Sequence, residues 1–402
     1  FPYMGMFIPP VAKKRRWESF GKYPVSIAEM QDYAQEMKNM GFHVLSYFNV
    51  TEFGAGIQYP LPASPKKYGK DTWKDANQYL SLKLKDAILR VPDRIKPAGT
   101  KRFPKIKPGG FYFTWGDAVA MDCGEPVYKK FLIDQAKEHI RQIPASDGIC
   151  IDRMDWLRMY NEDRDDGISW YLDRPVRSLN TSWKSLMGEI CPLMHKNNKS
   201  VFVNNHTKRI DLLKEIDGIF DEFTYAGTAL NLTAFLTVNK TAFGWTKDIN
   251  SIKSEGADRF FQKYLYLGVY PMAPFPGNDH SIMPDPWVDQ QYEDYGPLLA
   301  MMKGKKWVLD PHCVEVYEGE AKVNLFKVPD GWILPVVLGK KEKVTITARN
   351  VSGLEKITCY AVYPGSVEKI PLKHRFVNGS VEIEVPLQRG CGMVKIERSE
   401  TI

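Results

Sequence analysis

Two acidic residues at the ends of two similar apolar segments are the strongest candidates for chemistry in this sequence. The segments are Asp147-Gly148-Ile149-Cys150-Ile151-Asp152 and Asp217-Gly218-Ile219-Phe220-Asp221-Glu222. Because side chains in a strand alternate between its two faces, Asp152 and Glu222 are predicted to face away from the isoleucines, whereas Asp221 faces with them. Two carboxyl groups across a cleft, one ionised and one protonated, are what cleavage of a glycosidic bond requires.

The two carboxyl groups are given different roles because their side chains differ in reach. Asp152 is predicted to be the nucleophile, since an aspartate stays close to its strand, and Glu222 the acid/base, since its extra methylene reaches toward a leaving group. Glu52, which follows another apolar run, is the substitute for Glu222. The competing interpretation is a structural ion-pair network that includes Arg153 and Asp155.

Aromatic and polar residues near the ends of other predicted strands favour a sugar as the ligand. Flat rings stack on pyranose faces, and amides and carboxylates bond to hydroxyl groups, although an aromatic residue by itself is more often part of a core. The predicted substrate-binding residues are Glu52, Trp115, Asp117, Arg153, Asp155, Trp156, Asn204, Asn205, His206, Tyr225, Trp245, Asp279 and His280. We predict no metal site and no cofactor, because the 7 histidines show no metal-binding spacing.

The elements that must position these residues alternate between strand-length apolar runs and stretches with helical spacing. Helical spacing is predicted from Ile27 to Met37, from Pro126 onward, and over a long region between the fourth strand and about residue 197. Eight such runs predict a closed (β/α)8 TIM barrel over residues 1–309, with functional groups at the carboxyl ends of its strands. The runs are residues 3–8, 44–48, 111–115, 148–152, 200–204, 218–223, 242–245 and 269–275.

The spacing of apolar residues changes near residue 310. Short alternating segments replace helical spacing, which predicts a C-terminal antiparallel β-sandwich over residues 310–402. The predicted strands are Val314–Tyr317, Ala321–Phe326, Trp332–Leu338, Val344–Thr347, Val381–Val385 and Met393–Ile396.

A basic insert, residues 64–108, separates the second and third predicted barrel strands. It holds thirteen Lys and Arg against four Asp, a net +9 in a chain whose formal charge is +7. We favour a solvated loop as its interpretation, but such a charge could also steer an anionic glycan. Nucleic acid is not an expected partner, because no nucleic-acid-binding module accompanies the insert.

Composition and hydropathy limit the class of protein. The 402 residues are 44% hydrophobic, 12% aromatic and 26% charged, which excludes disordered, collagen-like and coiled-coil proteins. No apolar stretch approaches the ~20 residues of a membrane helix, so we expect no membrane partner. The six cysteines lack any CxxC pair, and we interpret them as free thiols.

A run ahead of the Asp152 segment is similar to a known group of enzymes. Met121-Asp122-Cys123-Gly124-Glu125-Pro126-Val127-Tyr128, leading through a helix to Asp147–Arg153, resembles the α-galactosidase and α-glucosidase superfamily of (β/α)8-barrel glycoside hydrolases. The resemblance covers about residues 105–230. It implies retaining, α-specific hydrolysis of an oligo- or polysaccharide, with Asp152 as nucleophile and the acid/base after strand six, at Glu222, where those families normally have an aspartate.

The resemblance also implies a setting for the chain. A trailing β-sandwich is usual in the superfamily, and a further β-sandwich often precedes the barrel. We therefore expect a secreted, periplasmic or surface-associated protein whose leader and a possible N-terminal domain are absent from this sequence.

Two other classes stay open from the residues alone. One is a non-catalytic carbohydrate-binding barrel, and the other is a metal-dependent barrel hydrolase. The residues leave open the sugar, the linkage, retention or inversion, and the oligomeric state, because the separation of the two carboxyl groups decides the stereochemistry.

Overall fold

In the computed structural model the chain divides into two compact units, Phe1–Asp217 and Gly218–Ile402. The structure describes residues 16–19, 23–53, 76–92, 109–112, 119–152, 160–204, 209–222, 229–246, 248–274, 285–349, 351 and 357–398.

The first unit combines parallel strands with helices. Its described helices are α1 (Ile27–Asn39), α2 (Ala76–Lys83), α3 (Pro126–Gln142) and α4 (Leu179–Lys196), with short 3-10 turns at Lys85–Ala87 and Ile210–Leu212. Its described strands are β1 (Arg16–Ser19), β2 (Tyr23–Ser26), β3 (Leu45–Asn49), β4 (Glu52–Phe53), β5 (Val119–Ala120), β6 (Gly148–Asp152), β7 (Tyr160–Asn161), β8 (Ser169–Tyr171), β9 (Arg174–Ser178) and β10 (Ser200–Asn204).

Three parallel strands, in the order β3-β6-β10, form the central layer of this unit. Ile149 and Ile151 of β6 are fully buried on one face, whereas Cys150 and Asp152 on the other face are half-buried. The same alternation buries Val201 and Val203 of β10. Apolar side chains against the helices therefore fix which face carries Asp152.

The helices of the first unit agree with their sequence signals. Pro126 occupies the first turn of α3, where its missing N–H is not needed. Ile27, Met30 and Ala34 of α1 pack with Ile143 and other residues in one apolar cluster. The predicted helical spacing at both places is confirmed.

The long helix predicted between the fourth strand and residue 197 is wrong over residues 160–178. These residues form a three-stranded antiparallel sheet in the order β7-β9-β8, and the described part of this region is helical only in α4. Turns explain the difference: Gly167 has φ +78° and Leu172 has φ +56°, values that no helix accommodates. Ser169-Trp170-Tyr171 between them favours a strand.

The basic insert is not a plain solvated loop in its described part. Residues 76–92 contain α2 and a 3-10 turn, and Leu80, Leu84 and Ala87 are buried. The backbone N–H of Asp122 donates to the carbonyl of Ala87, at 2.8 Å. The middle of the insert therefore belongs to the fold of the first unit.

The second unit continues with three parallel strands and then turns to antiparallel sheets. Its helices are α5 (Ala229–Leu236), α6 (Ile249–Glu255), α7 (Ala257–Leu267) and α8 (Pro286–Ala300). Its described strands are β11 (Gly218–Asp221), β12 (Thr241–Gly244), β13 (Tyr270–Pro271), β14 (Lys306–Trp307), β15 (Val314–Glu318), β16 (Lys322–Val323), β17 (Phe326–Val328), β18 (Gly331–Val337), β19 (Lys343–Ala348), β20 (Ile357–Val362), β21 (Ile370–Pro371), β22 (His374–Val377), β23 (Ser380–Pro386) and β24 (Gly392–Arg398).

The antiparallel strands form two layers. One sheet has the order β14-β17-β18-β24-β20-β21, with β16 beside β18, and the other has the order β15-β19-β23-β22. Apolar residues from both sheets, including Leu334, Ile346 and Ile383, fill the space between them. The opposite face of the larger sheet packs on α7 and α8 through residues such as Phe261 and Phe326. The predicted C-terminal antiparallel sandwich is confirmed.

The structure confirms some of the eight predicted barrel strands and shortens or leaves undescribed the others. The runs at 148–152 and 200–204 match β6 and β10 residue for residue, and those at 44–48, 218–223 and 242–245 match β3, β11 and β12 within one or two residues. Residues 3–8 and 113–115 lie outside the described ranges, and β13 is shorter than predicted. Among the described residues the ring of eight strands is not closed.

None of the described helices combines the length and the apolar character that crossing a bilayer needs.

Candidate active site

Asp152 is the last residue of β6 in the central sheet of the first unit. Both of its carboxylate oxygens accept hydrogen bonds. The Tyr47 hydroxyl donates to Oδ2 at 2.6 Å, and the Asn204 amide Nδ2 donates to Oδ1 at 2.8 Å. These two donors fix the plane of the carboxylate and stabilise its negative charge.

Strand register brings these three side chains together. Asn49 lies opposite Asp152 across the β3–β6 pair, and Val203 lies opposite Ile151 across the β6–β10 pair. Tyr47, two residues before Asn49, therefore shares the face of Asp152, and Asn204 ends β10 beside it. Asn49 also donates from Nδ2 to the Tyr47 hydroxyl at 3.4 Å, which orients that hydroxyl.

Cys150 lies on the same face as Asp152 but does not have the chemistry of a nucleophile. Burial first, and the charge of Asp152 second, raise the pKa of its thiol to about 12. A protonated thiol is a poor nucleophile. Among the two side chains on this face of β6, Asp152 is therefore the candidate nucleophile.

Glu222 belongs to the second unit and directly follows β11. It is half-buried, whereas Asp221 before it is 1% exposed. The Thr233 hydroxyl donates to the Asp221 carboxylate, and the backbone N–H of Trp245 donates to the Asp221 carbonyl at 2.9 Å. Asp221 is thus buried inside the unit, whereas Glu222 is more exposed, and its role as the acid/base stays a prediction.

The remaining predicted residues divide into two groups. Trp245 is half-buried and directly follows β12, and Glu52 lies in β4, where its backbone pairs with Ala120 of β5. The others lie outside the described residues and stay predictions: Trp115, Asp117, Arg153, Asp155, Trp156, Asn205, His206, Tyr225, Asp279 and His280.

Sequence reasoning missed Tyr47 and Asn49. The signal that could have found them is the alternation of β3, because Tyr47 and Asn49 share one face and Ser46 and Phe48 the other. Their contact with Asp152 depends on the β3–β6 register, which no local pattern gives.

Within the described residues, no group of three or more His, Cys, Asp or Glu is arranged to hold a metal ion.

Comparison with known proteins identifies the fold. No family model matches the sequence, and no curated protein is similar to it. The structure, however, resembles solved structures of carbohydrate-active enzymes. A Paenibacillus cycloisomaltooligosaccharide glucanotransferase is 8% identical with a TM-score of 0.58, and the match covers 94% of this chain and 76% of that one.

Two further solved structures agree with this result. An α-amylase of Geobacillus thermoleovorans is 12% identical with a TM-score of 0.54, and the match covers 94% of this chain and 82% of that one. An Anoxybacillus α-amylase is 10% identical with a TM-score of 0.53, and the match covers 96% and 84%. The chain therefore has an amylase-like fold of the (β/α)8-barrel class followed by a C-terminal antiparallel β domain, as predicted, although the ring of eight strands is not closed among the described residues.

Proposed function

We propose that the protein is a glycoside hydrolase that acts on an oligo- or polysaccharide with retention of anomeric configuration and with α-specificity. The observation that carries the proposal is the Asp152 carboxylate, which ends a buried parallel strand on its half-exposed face and receives a hydrogen bond on each oxygen. In a barrel of this class, functional groups occupy the carboxyl ends of the strands. The α-amylases and the glucanotransferase that share the fold support this substrate class.

The proposed reaction has two steps. Asp152 attacks the anomeric carbon while Glu222 donates its proton to the departing glycosidic oxygen, which leaves a covalent glycosyl–Asp152 ester. Glu222, now ionised, then removes a proton from water, and the water oxygen displaces Asp152. Tyr47 and Asn204 act as positioning residues, because their hydrogen bonds hold the attacking carboxylate in one orientation.

Substitution of the two acids tests the assignment. Asp152→Asn is expected to lower kcat by about 10³-fold or more, because a neutral amide cannot form the glycosyl ester. Glu222→Gln is expected to lower kcat by about 10²–10⁴-fold for poor leaving groups and by less for activated aryl glycosides, which need no protonation. The measurement is a screen of aryl glycosides in both anomeric series, followed by the anomeric configuration of the first product by NMR.

Asp221→Asn is the matched control, because it changes the neighbouring carboxylate on the opposite face. It is expected to lower thermal stability without lowering kcat of the folded enzyme. Wild-type activity in Asp152→Asn would remove Asp152 from the mechanism. Binding of sugars without cleavage by the wild type would indicate a carbohydrate-binding barrel instead, and loss of activity in a chelator would indicate a metal-dependent hydrolase.

A further inference from the structure

A β-hairpin of the first unit exposes an apolar surface that the proposed reaction does not use. On β8 and its turn, Ile168 is 82% exposed, Trp170 65% and Leu172 65%. Within β8, Trp170 points away from the face of Ser169 and Tyr171. Ile168 and Leu172 flank the strand on either side. Pro175 lies opposite Trp170 across the β8–β9 pair and is exposed as well. We call these four residues the hairpin platform.

The other face of the β8–β9 hairpin packs against the first unit. Tyr171 stacks on Tyr160 with ring centroids 4.7 Å apart, and Val176 is fully buried. The platform is therefore one side of a two-sided structure, and its exposure does not come from a loosely packed loop.

Buried ion pairs anchor the base of the hairpin. Arg177 of β9 donates to the carboxylates of Asp122 and Glu125, and Asn161 of β7 donates to Asp122 at 2.8 Å. The Asp122 side chain has no exposed surface. Charged groups this deeply buried hold their partners in a fixed geometry.

Hydrogen bonds to one aspartate stiffen the hairpin at the end opposite its turn, which lies between Tyr171 and Arg174. Asp166 accepts from the backbone N–H groups of Ile168, Ser169 and Ser178, at 3.1, 2.7 and 2.9 Å, and from the Ser169 hydroxyl at 2.8 Å. One carboxylate thus joins the start of β8 to the end of β9.

The Trp170 ring is held in place by its own turn. Its indole N–H donates to the carbonyl of Leu172 at 3.0 Å. This bond satisfies the polar atom of the ring and limits its rotation, while the ring stays 65% exposed. A fixed, exposed aromatic ring with no unsatisfied donor is suited to stacking on a flat apolar ligand surface.

The surroundings of the platform select among possible occupants. Asp165, Asp166 and Asp173 against Arg174 give residues 165–174 a net charge of −2. This charge repels an anionic membrane surface or a polyanion. Four side chains also present less than the ~800 Å² per partner that a stable dimer of standard size buries. An uncharged ligand with a flat apolar face and hydroxyl donors fits both limits.

We propose that the hairpin platform is a binding site for a neutral polysaccharide chain, on which the Trp170 ring stacks against a pyranose face while Asp165 and Asp173 accept hydrogen bonds from hydroxyl groups. The proposal rests on the proposed function, because it assigns a second contact with the same class of substrate. Leu172 and Ile168 border the ring and extend its apolar surface along the chain direction of β8.

Affinity electrophoresis with soluble starch, dextran and pullulan tests this site on the full chain. The wild type is expected to be retarded by at least one of these neutral glucans, Trp170→Ala to lose at least tenfold in affinity, and Trp170→Phe to keep most of it. Phe376→Ala is the matched control, because Phe376 is 51% exposed on β22 of the second unit, and its retardation is expected to equal that of the wild type.

Separate measurements distinguish failure of the site from failure of the proposed function. Cleavage of aryl glycosides by the wild type tests the function alone. Retardation that is equal in wild type and Trp170→Ala, or absent for all three glucans, would overturn the hairpin site whether or not aryl glycosides are cleaved. Sedimentation that shows a wild-type dimer and a Trp170→Ala monomer, with equal retardation, would assign the platform to self-association instead.

Discussion

Tyr47 is the residue whose contact with Asp152 most directly bears on the proposed chemistry. Its hydroxyl donates to a carboxylate oxygen at 2.6 Å, and a hydrogen bond to a charged group contributes about 1.5–3 kcal/mol. Tyr47→Phe removes this bond and also the acceptor of the bond from Asn49 Nδ2, so we expect kcat to fall by about tenfold or more and the free energy of unfolding to fall by about 1–3 kcal/mol. Steady-state kinetics on an aryl glycoside measure the effect.

Tyr360→Phe is the control for the Tyr47 variant. Tyr360 makes the same kind of bond, from its hydroxyl to Glu397 at 2.9 Å, but it lies in the C-terminal sandwich. It should leave kcat unchanged. Equal activity in Tyr47→Phe and the wild type would show that Asn204 alone positions the carboxylate.

His139 in α3 makes stability depend on pH. It is fully buried, and neither ring nitrogen has a hydrogen-bond partner among the residues that the structure describes. Burial, followed by the charge of Lys199, lowers its pKa to about 4. In the unfolded chain a histidine takes up its proton near pH 6.5. Stability from the neutral ring is therefore complete above pH 6.5 and is lost as the pH falls toward 4, by about 3 kcal/mol in all.

Urea denaturation of the wild type and His139→Leu at pH 7.0, 5.5 and 4.5 measures this dependence. Carboxylates titrate in both proteins, so the difference between the two free energies of unfolding isolates the histidine. The variant is expected to gain stability relative to the wild type as the pH falls. A difference that stays constant over this range would show that His139 is already protonated in the folded state or reaches water.

Asp122 joins three elements of the first unit. It accepts hydrogen bonds from Asn161 of β7, Arg177 of β9 and Ser182 of α4, and from the N–H of Gly124 before α3. Asp122→Ala leaves buried donors without an acceptor, so we expect a loss of about 3–5 kcal/mol in the free energy of unfolding. Asp173→Ala, which removes an exposed partner of Arg174, should change it by less than about 0.5 kcal/mol. Chemical denaturation of the two variants checks both values, and a small loss in Asp122→Ala would mean that water replaces the carboxylate.

The sequence predicted elements well where one face of a strand is buried. In β6 and β10 the alternation of Ile149 and Ile151, or Val201 and Val203, with less buried neighbours sets both the bounds and the face of Asp152. It failed at residues 160–178, where the signals are turn residues and a short exposed strand. Edge strand β22 was missed for a similar reason, because three of its four residues are exposed and show no apolar alternation.

The candidate site divides in the same way. Asp152 could be found from its segment and from strand alternation, because both are local. Tyr47 and Asn204 meet Asp152 only through the register of β3 and β10 with β6, and register is a property of paired strands. The segment around Asp122 carries the resemblance to a known superfamily. Its buried hydrogen bonds come from β7, β9 and α4, which are distant in the sequence, so no local pattern predicts them.

Charge is distributed unevenly over the whole molecule. The insert at residues 64–108 carries +9, so the remainder of the chain, at +7 in total, carries −2. Within the insert, the described residues 76–92 hold Lys83, Lys85 and Arg90 against Asp86, or +2, and they include buried leucines. Deleting the insert would therefore remove part of the core, and a test of its charge needs substitutions elsewhere in it.

We propose that this charge favours acidic or sulfated glycans by attracting them to the protein. Lys66, Lys67 and Lys70 precede residues 76–92 in the sequence, and replacing all three with Gln removes three positive charges. For an anionic oligosaccharide, we expect kcat/KM to fall by about tenfold in the triple variant at low salt, and the wild type to lose a similar factor between 50 and 500 mM NaCl, because salt screens charges beyond about 10 Å at 0.1 M.

A neutral aryl glycoside serves as the control for this prediction, since its kcat/KM should depend on neither salt nor the three lysines. The hairpin site is tested independently, because its net charge is −2 and its expected ligand is uncharged. If anionic and neutral substrates show the same small response to salt, and the triple variant equals the wild type on both, the basic insert contributes only surface charge, and the preference for anionic glycans is wrong.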